Sequence, residues 1–261
     1  MKKVTTILVM LAIATLTFAQ EKEQRDDDDR VDIEVKKKKN RYGTSHGLSF
    51  DIGINNYLKD GKSPDDSNEN YAAKPWGSWN FAINSVNNTH IGGPLYLQWG
   101  GGFSWYNFQF QDEAMRISKG ANEVDFTLDP RTNIDPIKSK FSASYVNVSL
   151  LPVLRFGENG RKRWGNDNWC FDNDKEGKFR IGVGGYAGYK LGSRSKFVYE
   201  EENIKRKDKA TDSYYLNSWR YGARIQVGFR DVDFFVNYDL NELFVTDKGP
   251  KLNAFSFGIT I

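Results

Sequence analysis

The sequence predicts an all-β fold, an eight-stranded antiparallel up-and-down transmembrane β-barrel, preceded by a signal peptide and a charged linker. Three observations predict it. Eight segments alternate apolar and polar residues with a period of two, the side-chain repeat of a strand. A secretory leader stands in front of them. The composition is aromatic and polar at once: aromatics reach 15% while mean hydropathy is −0.64. A helical membrane protein could not be that polar, whereas half of every barrel strand faces away from lipid.

The leader is expected to occupy residues 1–19. Lys2 and Lys3 make a basic start, Val4 to Phe18 an apolar core, and Thr17 and Ala19 the small residues a signal peptidase needs. The apolar run falls short of the roughly 18 residues a spanning helix requires. Cleavage is expected before Gln20, and no cysteine follows the cut to carry a lipid anchor. Residues 20–43 hold eight acidic and eight basic side chains and read as a charged periplasmic linker with too little apolar surface to offset its ordering entropy. The barrel is expected over 44–261. Without Lys2 and Lys3 the formal charge falls from +3 to +1, which gives no footprint for nucleic acid.

The first strand is predicted at 46–57, with Leu48, Phe50, Ile52 and Ile54 opposing Ser49, Asp51, Gly53 and Asn55. The second is at 78–86, around Trp79, Phe81 and Ile83. The third, 94–106, carries Leu95, Leu97, Trp99, Phe103 and Trp105; beyond Tyr106 the apolar phase slips to Phe108 and Phe110, which suggests a bulge or the end of the span. The fourth, 141–156, contains Pro152, tolerable at a bulge or a strand end. The fifth is 179–191 and glycine-rich. The sixth, 219–229, sets Trp219, Tyr221, Ala223, Ile225, Val227 and Phe229 against Arg220, Gly222, Arg224, Gln226 and Gly228. The seventh and eighth are 232–240 and 253–261. Most approach the roughly 9–11 residues that cross hydrocarbon at a tilt.

The connections are asymmetric, as in outer-membrane barrels. Segments 58–77, 107–140, 192–217 and 241–252 read as outer loops; 87–93, 157–178 and Arg230–Asp231 read as inner turns. Aromatics stand toward strand ends at Trp79, Trp105, Tyr189, Trp219, Tyr221 and Phe229, where interfacial girdles belong. Together these turn the apolar face outward, against the soluble carrier whose apolar face points in. The polar face then lines the lumen and brings Asp51, Asp233 and Asp239 beside Arg155, Arg180, Lys190, Arg220 and Arg224. Eight strands leave room for little more than their own side chains, so these charges are expected to form an internal network of pairs.

The stretches Tyr145–Phe156, YVNVSLLPVLRF, and Ile181–Gly192, IGVGGYAGYKLG, with the closing FSFGITI of 255–261, resemble the PorT-like outer-membrane β-barrel family, small eight-stranded barrels of the OmpA-like superfold. The resemblance implies an integral outer-membrane protein. It implies no one role, some members being tied to secretion or surface assembly.

Chemistry is sparse. The two histidines, His46 and His90, fall at the periplasmic end, away from the outer rim where a lipid-modifying triad would work. They could share a metal only by meeting across strands. Asp172–Gly177 begins like a calcium loop but has Val183 in place of the bidentate Glu. Cys170 has no nearby activating histidine. The sequence therefore predicts no catalytic residue, cofactor or metal. It predicts a monomer in outer-membrane lipid with a structural, surface-recognition or envelope-assembly role, an envelope protein being the candidate partner. The alternatives are an outer-membrane lipid-modifying enzyme and a secreted soluble carrier.

Overall fold

A computed structural model describes residues 43–64, 69–157, 179–230 and 232–261. The expected signal peptide, the linker up to residue 42, Cys170, the Asp172–Gly177 run and Asp231 of the predicted tight turn lie outside the described residues.

Eleven strands follow one another: β1 Thr44–Leu58, β2 Trp79–Gly92, β3 Leu95–Gln109, β4 Met115–Lys119, β5 Val124–Leu128, β6 Asp135–Phe156, β7 Phe179–Glu201, β8 Ile204–Thr211, β9 Trp219–Phe229, β10 Val232–Asp239 and β11 Asn253–Thr260. Eight of them close an antiparallel ring in the order β1-β2-β3-β6-β7-β9-β10-β11, with β11 returning to β1. Closure leaves no free edge in the ring. The short β2–β3 connection at Gly93–Pro94 marks one end, the turn end. The segments after β1, β3, β7 and β10 gather at the other, the loop end.

The greasy stripe faces out. Ile225 and Phe257 are 47% and 46% exposed, while Ser256 is fully buried. Each ring strand exposes at least one large apolar side chain: Ile52, Phe81, Phe103, Val148, Val183, Ile225, Phe234 and Phe257 in ring order. A continuous apolar girdle of this kind exceeds the patches that soluble monomers tolerate. It is the reverse of a soluble ligand carrier.

Four expectations need correction. Segments 107–140 and 192–217 are not loops. β6 and β7 run 22 and 23 residues, about ten more than a hydrocarbon crossing needs, and project past the ring. β8 pairs with the projecting half of β7, through a turn whose Glu202 and Asn203 both have positive φ (53° and 61°), the signature of a two-residue hairpin. β4 and β5 form a separate hairpin inside the 107–140 segment.

Second, of the two readings of the phase change near Tyr106, the bulge is absent and the end of the apolar span holds. The register of β3 against β2 and β6 is unbroken through that point, and Tyr106, Phe108 and Phe110 all face inward, buried. The apolar phase changes because the environment does: beyond the girdle the strands meet water outside and a conventional core inside. The same exchange occurs on β6, where inward Phe141, Ala143 and Tyr145 give way to Asn147 and Ser149. Third, β2 runs to Gly92 rather than ending at 86, so the 87–93 turn shrinks to Gly93–Pro94. Fourth, Pro152 sits at neither a bulge nor a strand end. The β6–β7 register resumes unshifted from Leu150↔Gly185 to Val153↔Gly182, and the missing proline N–H is accommodated by a gap in one ladder.

The loop end is filled by a hydrophobic core. Phe108, Phe110 and Phe141 from the ring pack with Tyr214, Leu216 and Phe244 from the connections, and the β4–β5 hairpin adds Met115, Ile117 and Val124. Arg131 and Arg116 both bind the Asp129 carboxylate, at 2.8 and 2.6 Å, and both reach Asp208 of β8. These ion pairs tie the hairpin segment to the β7–β8 extension.

Candidate functional site

The lumen is the part of the molecule where charge is concentrated and enclosed. Its two walls differ. The wall made by β7, β9, β10, β11 and β1 carries the arginine–aspartate pairs; the wall made by β2, β3 and β6 presents Asn80, Asn84, Gln98, Ser104, Asn147 and Ser149 and, toward the turn end, the inward Arg155 of β6. Strand alternation sets this: every second residue on β9 and β10 points in, and beside Gly222, Gly228 and Phe235 those residues are Arg220, Arg224, Gln226, Asp233, Asn237 and Asp239.

Three arginine–aspartate pairs climb the charged wall. Nearest the turn end, Arg180 donates from Nη2 and Nε to Asp233 Oδ1 at 2.6 and 3.1 Å, and Gln226 Nε2 donates to the other carboxylate oxygen at 3.0 Å. At mid-height, Arg224 grips Asp51 with two bonds, Nη1 to Oδ2 at 2.9 Å and Nη2 to Oδ1 at 3.1 Å. Thr260 and Asn84 complete that carboxylate, at 2.6 and 3.2 Å. Nearest the loop end, Arg220 Nη2 donates to Asp239 at 2.6 Å, and the Tyr186 hydroxyl donates to the same oxygen. Two-point arginine contacts and filled carboxylate lone pairs are the condition under which enclosed charge is tolerated.

Arg220 also sits in a cage of tyrosines. Its guanidinium lies 4.1 Å from the Tyr106 ring centroid, 4.9 Å from Tyr145 and 5.2 Å from Tyr186. Ring faces are electron-rich, so they stabilise a cation where water is scarce. The cage stands where the polar lumen meets the loop-end core, and Tyr106 and Tyr145 belong to both.

Glycines make the space. A Cβ on Gly228 would collide with the Arg180–Asp233 pair, and one on Gly222 would strike the Tyr186 ring and hydroxyl. The glycine spacing that superficially suggests phosphate binding is therefore spent on packing large polar side chains.

Of the eight residues expected in the lumen network, six form these three pairs. Arg155 is outside these three pairs but directly opposite Arg180 in the β6–β7 register, both buried, with its guanidinium 4.2 Å from the Tyr96 ring centroid near the turn end. Lys190 joins no carboxylate. Its Nζ donates to the backbone carbonyls of Leu216 and Ser213, at 2.6 and 3.3 Å. It caps a turn in which Tyr214 and Tyr215 both hold positive φ, a costly conformation for bulky residues that needs surrounding support. Sequence reasoning missed Tyr106, Tyr145 and Tyr186; three tyrosines on inward phases of neighbouring strands were the available signal.

What remains open is a cavity of about 60 Å³ between the two walls, room for a few water molecules. The Oδ1 atoms of Asn80 and Asn147 and the Nε of Arg220 border it without a protein partner. Neither histidine lines it. His46 pairs across strands with Asn87, to which its ring is hydrogen-bonded, and His90 bonds the Gly93 carbonyl at 3.0 Å. The register therefore keeps the two imidazoles from meeting at a shared metal. The arrangement fixes charge.

No protein-family model matches the chain, and no curated protein matches it. Among solved structures, the chain is similar to the crystal structure of Ail, the attachment invasion locus protein of Yersinia pestis, at 13% identity and a TM-score of 0.32, over 84% of this chain and 95% of that one. The assignment of an eight-stranded barrel stands on the ring of pairings described above.

Proposed function

We propose that this chain is an integral outer-membrane β-barrel that presents a folded surface on its loop end and has no catalytic activity of its own. One observation carries the reading. The ring is apolar outside on all eight strands while three arginine–aspartate pairs are sealed inside it, an arrangement stable in lipid and costly in water. Trp79, Tyr189 and Trp219 stand exposed at the loop-end edge of the girdle, where interfacial aromatics sit.

The loop end supports recognition more than transport. It closes over a packed core, and the lumen beneath is plugged by its own side chains. A rigid cap of strands and ion pairs is suited to meeting a partner at the cell surface. The PorT-like likeness is part of this proposal; the two stretches that carry it, Tyr145–Phe156 and Ile181–Gly192, lie on the paired strands β6 and β7.

The test is direct. The protein should require detergent or lipid, and it should migrate differently on gels run heated and unheated. Full solubility in salt buffer would remove the reading. Turnover of a phospholipid or glycolipid, abolished by His46→Ala or His90→Ala, would replace it with the lipid-modifying alternative.

A further inference from the structure

The outward face of the β6–β7–β8 extension carries a lattice of like charge. Lys140, Lys196 and Lys209 are direct cross-strand partners in one row over three strands. The row on the loop side adds Lys138 and Lys207, and the row on the membrane side adds Arg194. Among the described residues none of these six joins an ion pair. Like charges directly opposite one another destabilise a sheet. Burial and the neighbouring cations lower the Lys140 and Lys196 ammonium groups below their usual range. A chain with formal charge +3 has no general need for such a concentration.

Beside the lattice lies a groove of about 330 Å³, bounded by Lys138 and Lys140 on one side and by Lys74, Trp76 and Trp79 on the other. Trp76 is 87% exposed and Trp79 58%. Lys74 is engaged with Glu113 at 3.5 Å. Trp79 shares a cross-strand row with Asn107, Ser142 and Arg194. The lysine row is two residues further out, about 7 Å along the strands. Toward the membrane the same face of β6 becomes Val146, Val148 and Leu150, 37%, 61% and 54% exposed.

We propose that this face binds the phosphorylated sugar headgroup of an anionic glycolipid in the surrounding leaflet. The indoles of Trp76 and Trp79 offer flat surfaces for sugar rings, and the lysine and arginine rows take the phosphates. The placement selects a lipid: the cations begin where the lipid-facing stripe ends, within reach of headgroups whose acyl chains would lie along Val146–Leu150. The anion also removes the repulsion that the lattice carries by itself. This inference rests on the membrane reading above and deepens it.

The experiment uses the full chain in two arms. Insertion into neutral phosphatidylcholine vesicles, read by the heated–unheated gel shift, tests the membrane reading alone. Native mass spectrometry from detergent then counts adducts of an acylated diglucosamine bisphosphate, its dephosphorylated form and the same sugar phosphate without acyl chains. The expected result is normal insertion, preference for the phosphorylated lipid, and an affinity about fivefold lower for each lysine removed in Lys140→Gln, Lys196→Gln and Lys209→Gln. Should the triple variant fail to fold, single Lys196→Gln carries the comparison. Equal binding of both lipids, or an unchanged variant, overturns the site and leaves the barrel standing. Equal binding of the chain-free sugar phosphate overturns the lipid assignment. Failure of the wild type to insert overturns both.

Discussion

The two ends of the long strands obey opposite rules. Near the turn end, β6 turns Val148, Leu150, Leu154 and Phe156 outward and Arg155 inward; near the loop end, the same strand turns Lys140, Ser142 and Ser144 outward and Phe141, Ala143 and Tyr145 inward. On β6 the period does not change, only the sidedness, while β7 shifts its outward phase at the register irregularity opposite Ser144–Tyr145. One backbone thus carries a lipid-soluble barrel and a water-soluble β-cap in series. The crossover is marked by the Tyr106, Tyr145 and Tyr186 cage around Arg220, whose rings are apolar enough for the core and whose faces and hydroxyls suit a cation. Solvent, more than propensity, decides which face of a strand is the inside one.

The strongest way to break this comparison is to remove one stabilising group from each end. Asp239→Ala would leave Arg220 enclosed with aromatic faces but without its carboxylate, and should cost about 3–5 kcal/mol. Phe141→Ala opens the loop-end core, where the ring stacks on Phe108 at 4.9 Å and Phe110 at 5.8 Å, and should also cost about 3–5 kcal/mol. Urea unfolding from lipid measures both. A water-filled lumen would let Asp239→Ala pass with little effect, which would deny that the charged interior is sealed.

Next in size is a pair of identical substitutions on one face of one strand. Val148→Arg puts a guanidinium in the girdle and should cost roughly 2–4 kcal/mol, whereas Ser144→Arg, four residues toward the loop end, should cost roughly 0–1 kcal/mol. Ser144 loses only a bond to the Gly192 carbonyl at 3.2 Å. Equal penalties for the two would place the membrane boundary elsewhere.

Much of the barrel half was legible in the sequence, because a lipid-facing stripe repeats one pattern until it stops. β9 is found at the predicted residues, 219–229, and the alternation correctly separates Arg224 from Ile225. The loop end was less legible for the reason it is interesting. Once the outside becomes aqueous, Phe108 and Phe110 continue the strand on the other phase, and a change of phase at constant period imitates a bulge. β8 hid because its sequence, IKRKDKAT, offers no apolar side to count. Which aspartate meets which arginine could not be read either. Arg224 and Asp51 are 173 positions apart, and only closure of the ring through β11 brings them together. Height along the barrel hid the detachment of Lys190, whose phase is inward but which lies beside the 213–216 turn.

A pH titration sharpens the contrast between the ends. Arg131, first, and then Arg116 hold the Asp129 carboxyl well below the usual carboxylate range. A depressed folded-state value contributes stability above the unfolded value, near pH 4, and loses it as pH falls toward the folded one. The hairpin segment of the cap should therefore loosen under acid, seen as protease cleavage within 115–131, while the girdle stays intact. Asp129→Asn should remove this acid-dependent part and cost about 1–3 kcal/mol at neutral pH. A cap equally resistant at pH 3 and pH 7 would mean that the ion pairs do not hold the hairpin.

The smallest expected effect has an unusual sign. In neutral detergent, Lys196→Gln should raise stability by about 0.2–1 kcal/mol, because it removes the central cation of a like-charged row. Substituting a ring residue in the girdle offers no such gain, since there the outer face already matches its solvent. The outer face of the cap therefore contains a local conflict that the outer face of the girdle does not, and it lies on one face of three strands. Added salt should shrink the gain, as screening weakens repulsion between exposed charges. A loss of stability in neutral detergent at every salt concentration would show that Lys196 is held by contacts other than charge, and the lattice would then be an ordinary solvated surface.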